Sequence, residues 1–333
     1  MPAEEATKGN SEIALIERIT ARLGVRPGVA RSIGDDAAVL DGDPPVVLSQ
    51  DLLVEGVHFA RATMGWADVG HRALAVNLSD LAAMGADPVA ALVGLGLPER
   101  DGPSPADLEA LYDGMEALAA AHGLTVAGGD VTSAPAMVIA VTVAGRMGHG
   151  IAPLGRDTAE AGDLCCVTGT LGAAAAGLLL VEDPRLGVGV PEAEALAAAH
   201  RRPTPRLAGG RALASPGGAA AMLDCSDGLA LDAGRIADAS GLGVVIRLED
   251  LPVAPGVAAV AAAAGRPPDV LAATGGEDFE LVAAVDPARL DEVRSRLDVP
   301  LTVVGRFTAG GGVRLLRHGV EVHPRSLGWE HRV

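Results

Sequence analysis

Lysine is almost missing from this chain of 333 residues, in which Lys8 is the only one. Chemistry that needs an ammonium group in the folded body is thereby excluded, and the phosphate-binding pattern G-x-x-x-x-G-K-[ST] does not occur. Cysteine is nearly as scarce. Cys165, Cys166 and Cys225 fit neither a disulfide framework nor a zinc spacing and read as small buried apolar residues. Positive charge is in deficit, with a formal net charge of -17, which excludes nucleic acid as a partner because a phosphate backbone needs a basic face. No apolar run reaches the roughly 18 residues that a membrane span needs. The N-terminal MPAEEATKGNSEIALIERI lacks the basic and apolar regions of a signal peptide, so a cytoplasmic protein with no membrane partner is expected.

What is present is ample apolar content, 49% of residues, in a chain about the length of two domains. Residues 1–10 are expected to be a disordered leader. Ser11 can cap a helix reaching Leu23, with Ile13, Ile16 and Ile19 on one face. VVLSQDLLVEGVHF reads as strand, turn and strand. WADVGHRALAVNLSDLAAMGA reads as a helix with the stripe Leu74, Leu78, Leu81 and Ala82, stopped at Gly85. DPVAALVGLGLP is a strand and SPADLEALYDGMEALAAAHG a helix. LTVAGGDVTS and AMVIAVTVAGRM are strands around a Gly-Gly-Asp turn, which ends a first domain, residues 11–148. A second, residues 149–333, restarts with the strand, glycine turn and helix of GDLCCVTGTLGAAAAGLLLV. It continues through the Pro/Arg-rich link HRRPTPRLAGG to the strand entering DCSDGL, the helix ALDAGRIADAS and the strand GVVIRL. The helix PARLDEVRSRL and the strand PLTVVGRF close it. Alternating elements of this kind give an α/β or α+β fold. NLSDLAAMGAD and DCSDGLALDAG echo each other weakly.

The acidic residues have an unusual placement. Asp224 and Asp227 end an apolar strand, and Asp35, Asp36, Asp51, Asp80, Asp130, Glu277 and Asp278 also sit at turns or beside glycine and small hydroxyls. Singly each has an ordinary reading: Asp36 closes a turn, Asp80 lies on a polar helix face, Asp227 caps a helix. Gathered in one cleft they repel unless a cation neutralises them. Aspartate oxygens with serine hydroxyls are what Mg²⁺ selects, usually beside substrate phosphates. VTGTLGAAAAG is a glycine turn into a helix, read either as a phosphate cradle or as tight packing.

In order along the chain, IGDDAAVL, SQDLLVEGVHF, ALAVNLSDLAAMGADP, GGDVTSAP, VTGTLG, DCSDGL and TGGEDFELV resemble the thiamine-monophosphate kinases. These belong with aminoimidazole-ribonucleotide synthetase, selenophosphate synthetase and a hydrogenase-maturation dehydratase, and the match runs from about Ile13 to Trp329. The resemblance implies a two-domain fold of the aminoimidazole-ribonucleotide-synthetase type. Its N-terminal domain binds ATP and Mg²⁺ and forms a homodimer, and its C-terminal domain completes the nucleotide and substrate site. It implies phosphorylation of thiamine monophosphate by ATP, the co-substrate, with several Mg²⁺ ions and room for a monovalent cation. By position, Asp36, Ser49, Gln50, Asp51, Asp80, Asp130, Asp224 and Asp227 correspond to metal ligands. Tyr112, Gly129, Asp130, Arg156 and Ser226 correspond to ATP contacts, and His58, Glu277 and Trp329 to acceptor contacts. The acceptor phosphate is itself largely ionised, with a second pKa near ~6, so no strong general base is needed; direct in-line transfer without a phospho-enzyme is expected, and no residue is a covalent nucleophile.

One position departs from the family's usual Ser-Thr-Asp, which here is Ser49-Gln50-Asp51. Gln50 can substitute if the family threonine acts through its main-chain carbonyl, but not if it acts through its hydroxyl. Other branches of the superfamily fit less well. Selenophosphate synthetase relies on a Cys or selenocysteine and a lysine near an N-terminal glycine-rich segment, neither of which is found here, and the hydrogenase-maturation relative on a C-terminal cysteine, whereas no cysteine of this chain lies beyond Cys225. A metal- or nucleotide-sensing module without activity would have lost acidic positions that this chain keeps.

Overall fold

In the segment VVLSQDLLV, buried and open positions alternate, as a strand with one covered face requires. A computed structural model describing Thr20 and residues 27–330 places it inside a six-stranded sheet. The expected leader and the expected helix of residues 11–23, Thr20 apart, lie outside the described residues. The sheet holds β1 (Val29–Arg31), β2 (Ala38–Leu40), β3 (Val46–Val54), β4 (Asp87–Pro98), β5 (Thr125–Ala134) and β6 (Val138–Arg146), in the order β1-β2-β3-β6-β4-β5. Its pairs are antiparallel except β4 with β5, which a helical crossover joins in parallel.

That crossover is α2 (Pro105–His122), entered through a capping box between Ser104 and Asp107 and left through a left-handed Gly123. It crosses α1 (Trp66–Met84) unusually closely. A methyl on Gly70 would lie 1.8 Å from the Leu111 carbonyl oxygen, and one on Gly114 1.8 Å from that of Ala67. Only glycine fits either position. The predicted stripe of α1 is fully buried, and Gly85 stops the helix in the left-handed conformation.

The second sheet comprises β7 (Leu164–Thr168), β8 (Ala221–Asp224), β9 (Gly243–Arg247), β10 (Leu281–Val285), β11 (Leu301–Thr308), β12 (Gly312–Arg317) and β13 (Val320–Val322), ordered β13-β12-β9-β11-β7-β10-β8. Its helices are α3 (Ala173–Glu182), α4 (Ala193–Arg201), α5 (Leu207–Ala214), α6 (Leu229–Ala239), α7 (Val257–Ala263), α8 (Pro268–Thr274) and α9 (Leu290–Ser295). Strands β7, β8 and β10 are buried on both faces, and their alternation shows why. Cys166, Met222, Leu281 and Ala283 join the core around α1, while Cys165, Leu223, Val282 and Ala284 join a second core under α6. Helix α1 thus touches β3 and β6 of the first sheet and β8 and α5 of the second half. A polar residue on α1 can therefore meet groups from both.

Some sequence expectations are corrected. Gly128-Gly129-Asp130 is no turn but lies inside the continuous β5, at a bulge where Gly128 has φ +155°. Gly129 is needed there because a methyl would fall 1.8 Å from the Val93 carbonyl oxygen on β4. After β3, the segment to Phe59 makes one isolated bridge with Glu55 rather than a second strand. The helix expected in PARLDEVRSRL is only the six residues of α9. The Pro/Arg-rich link is flanked by α4 and α5, which its proline content conceals.

Candidate functional site

Three carboxylates from three distant parts of the chain converge beside the buried end of α1. Asp36 comes from the loop between β1 and β2, Asp80 from α1, and Asp224 from the end of β8, with one oxygen of each within 4.8 Å of the others. Ser49 and Asp51, two apart on β3, share the strand face toward α1. The Ser49 hydroxyl donates to Asp80 Oδ2. The Asp51 backbone N–H donates to Asn77 Oδ1 at 2.9 Å, and Asn77 is anchored by its own amide on the Ala73 carbonyl, 2.9 Å. The Ser79 hydroxyl donates to Asp224 Oδ2 at 2.5 Å. Gln50 points to the opposite, exposed face, so its side chain is not in this group.

Burial, then the charges of Asp51, Asp224 and Asp36, pushes the Asp80 carboxyl well above its ordinary range, against the Ser49 hydroxyl. Asp36 is also pushed well up by burial, opposed by Arg156 and reinforced by Asp224 and Asp35. Asp224 rises to about 6, again chiefly through burial, and Asp51 rises through burial and the charge of Asp227. One oxygen, Asp36 Oδ2, is buried with no hydrogen-bond partner among the described residues. A buried carboxylate oxygen left unpaired beside two more carboxylates is costly unless a cation takes it. The donor set, carboxylates with a serine hydroxyl nearby, fits Mg²⁺.

Asp227 and Ser226 follow Asp224 in the turn before α6. Asp227 is not the helix cap; Gly228 occupies that position, at φ +121°. The buried Asp232 accepts the backbone N–H groups of Asp227 and Gly228, both at 3.0 Å, and binds Arg235 at 2.7 Å. Arg235 in turn pairs with Asp227 Oδ2 at 2.6 Å. The loop holding Glu277 lies directly alongside: the Glu277 N–H donates to the Ser226 carbonyl at 2.7 Å, and that of Phe279 to Cys225 at 2.9 Å. Gly276 is required by this approach, since a methyl would sit 2.6 Å from the Ser226 carbonyl oxygen. The tail closes over the same turn, with the Trp329 N–H on the Asp227 carbonyl at 3.0 Å and the indole exposed. Glu277 bonds Arg72 and lies near His200, and the charge of His58 also acts on it. His58 Nδ1 accepts the Val54 N–H at 3.0 Å, which leaves the ring proton to Nε2.

Arg156 spends its guanidinium on Asp36, with Asp35 at 3.5 Å. The phosphate-cradle reading of VTGTLG is corrected: at the start of α3 the N–H groups of Gly172 and Ala174 are taken by Asp278, at 2.6 and 3.0 Å. Asp130 stands apart from the carboxylate cluster. It is exposed on the edge strand β5 and, with Gly129, Tyr112, Glu116 and Val126, lines an open cavity of about 880 Å³. Sequence reasoning missed Asn77, Ser79, Arg72, His200, Asp232 and Arg235. For the first three the signal was there, as polar residues embedded in the apolar stripe of α1.

Fold and site together define an AIR synthase related protein. The N-terminal domain of that family matches residues 34–147 and its C-terminal domain residues 160–318. Thiamine-monophosphate kinase of Salmonella typhimurium LT2 is 38% identical, covering 96% of this chain and 98% of that protein, and the Bacillus subtilis 168 enzyme is 37% identical over 88% and 90%. The structure of AaThiL complexed with AMPPCP and TMP aligns with a TM-score of 0.83 at 32% identity, over 97% of this chain and 98% of that one. The Stenotrophomonas maltophilia K279a kinase aligns at 0.73 and 38% identity, over 91% and 96%. The chain belongs to the thiamine-monophosphate kinase family. A hydrogenase maturation protein from E. coli shares the fold at a TM-score of 0.67 and 24% identity. No helix among the described residues is long and apolar enough to cross a membrane.

Proposed function

We propose that this protein is a cytoplasmic homodimer that transfers the γ-phosphoryl group of ATP to thiamine monophosphate in one in-line step, completing thiamine diphosphate synthesis. The observation that carries this reading is the Asp36–Asp80–Asp224 cluster with its unpaired buried oxygen, in a chain whose relative binds AMPPCP and TMP. Asp36, Ser49, Asp51, Asp80, Asp224 and Asp227 would hold several Mg²⁺ ions, with the main-chain carbonyl of Gln50, and Asp130, apart from them on β5, would reach a metal only through the bound nucleotide. Mg²⁺ bound there supplies the positive charge that lets two anionic reactants approach.

The chain's own groups do the rest. Arg156 and Ser226 stand beside the cluster to take nucleotide phosphates, Arg156 exchanging its pairing with Asp36 for them. His58 presents a fixed Nε2–H, and Glu277 an ionised carboxylate, to the acceptor. Trp329, held over the Asp227 turn, offers a ring face to a cationic or aromatic ring. The Cys225 thiol, adjacent to Asp224, is buried, and burial pushes it well up, so it is not a nucleophile. No strong base is needed because the acceptor phosphate is already ionised. The homodimer is supported by the long β5 edge and by Leu52, Leu92 and Val131 exposed on that sheet, surface that a second copy would cover. Such pairing would also close the cavity of Tyr112, Gly129 and Asp130.

ATP made chiral at its γ-phosphorus tests the transfer step: inversion in the product is expected, and retention would mean a phospho-enzyme and refute it. Because the Gln50 side chain faces away from Ser49 and Asp51, Gln50→Thr is expected to leave the Mg²⁺ concentration for half-maximal activity within about twofold. A larger change would assign the side chain a place in the metal shell.

A further inference from the structure

Glu277 is gripped from two other elements. It follows α8 in a loop where its own φ is +73°, a conformation that costs a non-glycine residue energy and must be imposed by its surroundings. Its Oε1 bonds Arg72 Nη2, and its Oε2 lies 3.2 Å from His200 Nδ1. Arg72 also donates to the His200 backbone carbonyl at 2.5 Å, so α1, α4 and the loop form one linked unit. Arg72 is 2% exposed and surrounded on α1 by Val69, Ala73 and Val76. Burying a guanidinium at an apolar helix position is no better for stability than a well-packed apolar residue, and often worse. Its placement is therefore not explained by packing. Burial alone would raise the Glu277 carboxyl, yet Arg72, then His200 and His58, hold it below its ordinary range.

Arg72 also shares its helix with Asn77, Ser79 and Asp80 of the metal cluster. Asp80 lies eight positions after Arg72, about 12 Å along the axis, so a single rigid helix sets the spacing between the metal cluster and Glu277. We infer that Arg72, assisted by His200, is a positioning residue for the phosphate acceptor: it fixes the Glu277 carboxylate at a set distance from the metal cluster, and so governs recognition of thiamine monophosphate but not of ATP. This rests on the reading of Glu277 as an acceptor contact.

The test is a double-mutant cycle of Arg72→Gln and Glu277→Gln, followed by the separate KM values for thiamine monophosphate and ATP, with circular-dichroism melting to confirm folding. Each single variant is expected to raise KM for thiamine monophosphate about tenfold or more and to change KM for ATP less than about twofold. Arg72→Lys, which keeps the charge, is expected to recover most of the loss, and the double variant to be no worse than Glu277→Gln alone. An Arg72→Gln effect equal on both substrates, or one that multiplies that of Glu277→Gln, would overturn the inference while leaving Glu277 in place. If Glu277→Gln has no effect, the acceptor reading itself fails, and the inference with it. Should Arg72→Gln melt below the assay temperature, the cycle with Arg72→Lys decides in the same way, its residual effect vanishing when Glu277 is already Gln.

Discussion

Asp80→Asn is expected to abolish turnover while making the metal-free protein more stable. The two effects have one cause. Asp80 is crowded against Asp36 and Asp224 and pushed up by burial and by their charges, so the folded state without metal carries an electrostatic cost. Asparagine has the same shape and still offers Oδ1 to the Ser49 hydroxyl, but removes one negative charge. Relief of that repulsion should raise Tm by about 2 °C or more, the shift that roughly 1 kcal/mol gives a chain of this size. For catalysis the same change removes a charged oxygen from the centre of the cluster. The fall in kcat should exceed the ~10–100-fold that loss of a mere outer-shell partner costs a metal site. Calorimetry and steady-state kinetics on the same preparation check both. Lost activity with a lowered Tm would indicate damage to the fold, and unchanged activity would remove Asp80 from the proposed metal ligands.

The second large effect is on stability, and it depends on both Mg²⁺ and pH. Asp36, Asp51, Asp80 and Asp224 all have carboxyls raised above their unfolded values, Asp224 to about 6. The folded state therefore binds more protons than the unfolded one. This contribution is fully present below the ordinary carboxylate range near ~4 and is lost as pH rises through about 6 and beyond. Metal-free protein should accordingly lose stability on this account between pH 5 and pH 7.5. Mg²⁺ competes with those protons, so its stabilisation should grow over the same window. At a concentration about 100 times its dissociation constant it should raise Tm by roughly 4–5 °C at pH 7.5, and by far less at pH 5. A shift independent of pH would place Mg²⁺ away from these carboxylates.

Much of this site was legible in the sequence because its acidic residues sit where solvation cannot explain them. Asp224 ends a strand buried on both faces, and NLSDL sets polar residues into an apolar helical stripe. Periodicity alone separates Gln50 from its neighbours: on β3 every second residue faces α1, so Ser49 and Asp51 go in and Gln50 goes out. The remainder depended on long-range packing. Nothing local in HRRPTPR indicates that His200 meets Glu277, or that Arg206 pairs with Glu280 at 2.6 Å. The Gly-Gly-Asp segment reads as a turn from composition. Its glycines instead answer to the approach of β4, a constraint invisible until the two strands pair. VTGTLG misleads for a similar reason, since the carboxylate filling its helix start arrives from Asp278, about a hundred residues later.

The central claim, that the acidic cluster assembles Mg²⁺ for phosphoryl transfer onto thiamine monophosphate, is tested most directly by product formation. Purified protein would be incubated with ATP, Mg²⁺ and thiamine monophosphate, and thiamine diphosphate followed by chromatography, with a parallel sample containing excess chelator. The expected result is thiamine diphosphate in the first sample, none in the second, and recovery when Mg²⁺ is restored. Product that persists with the metal removed, or ATP binding with no product at all, would contradict it.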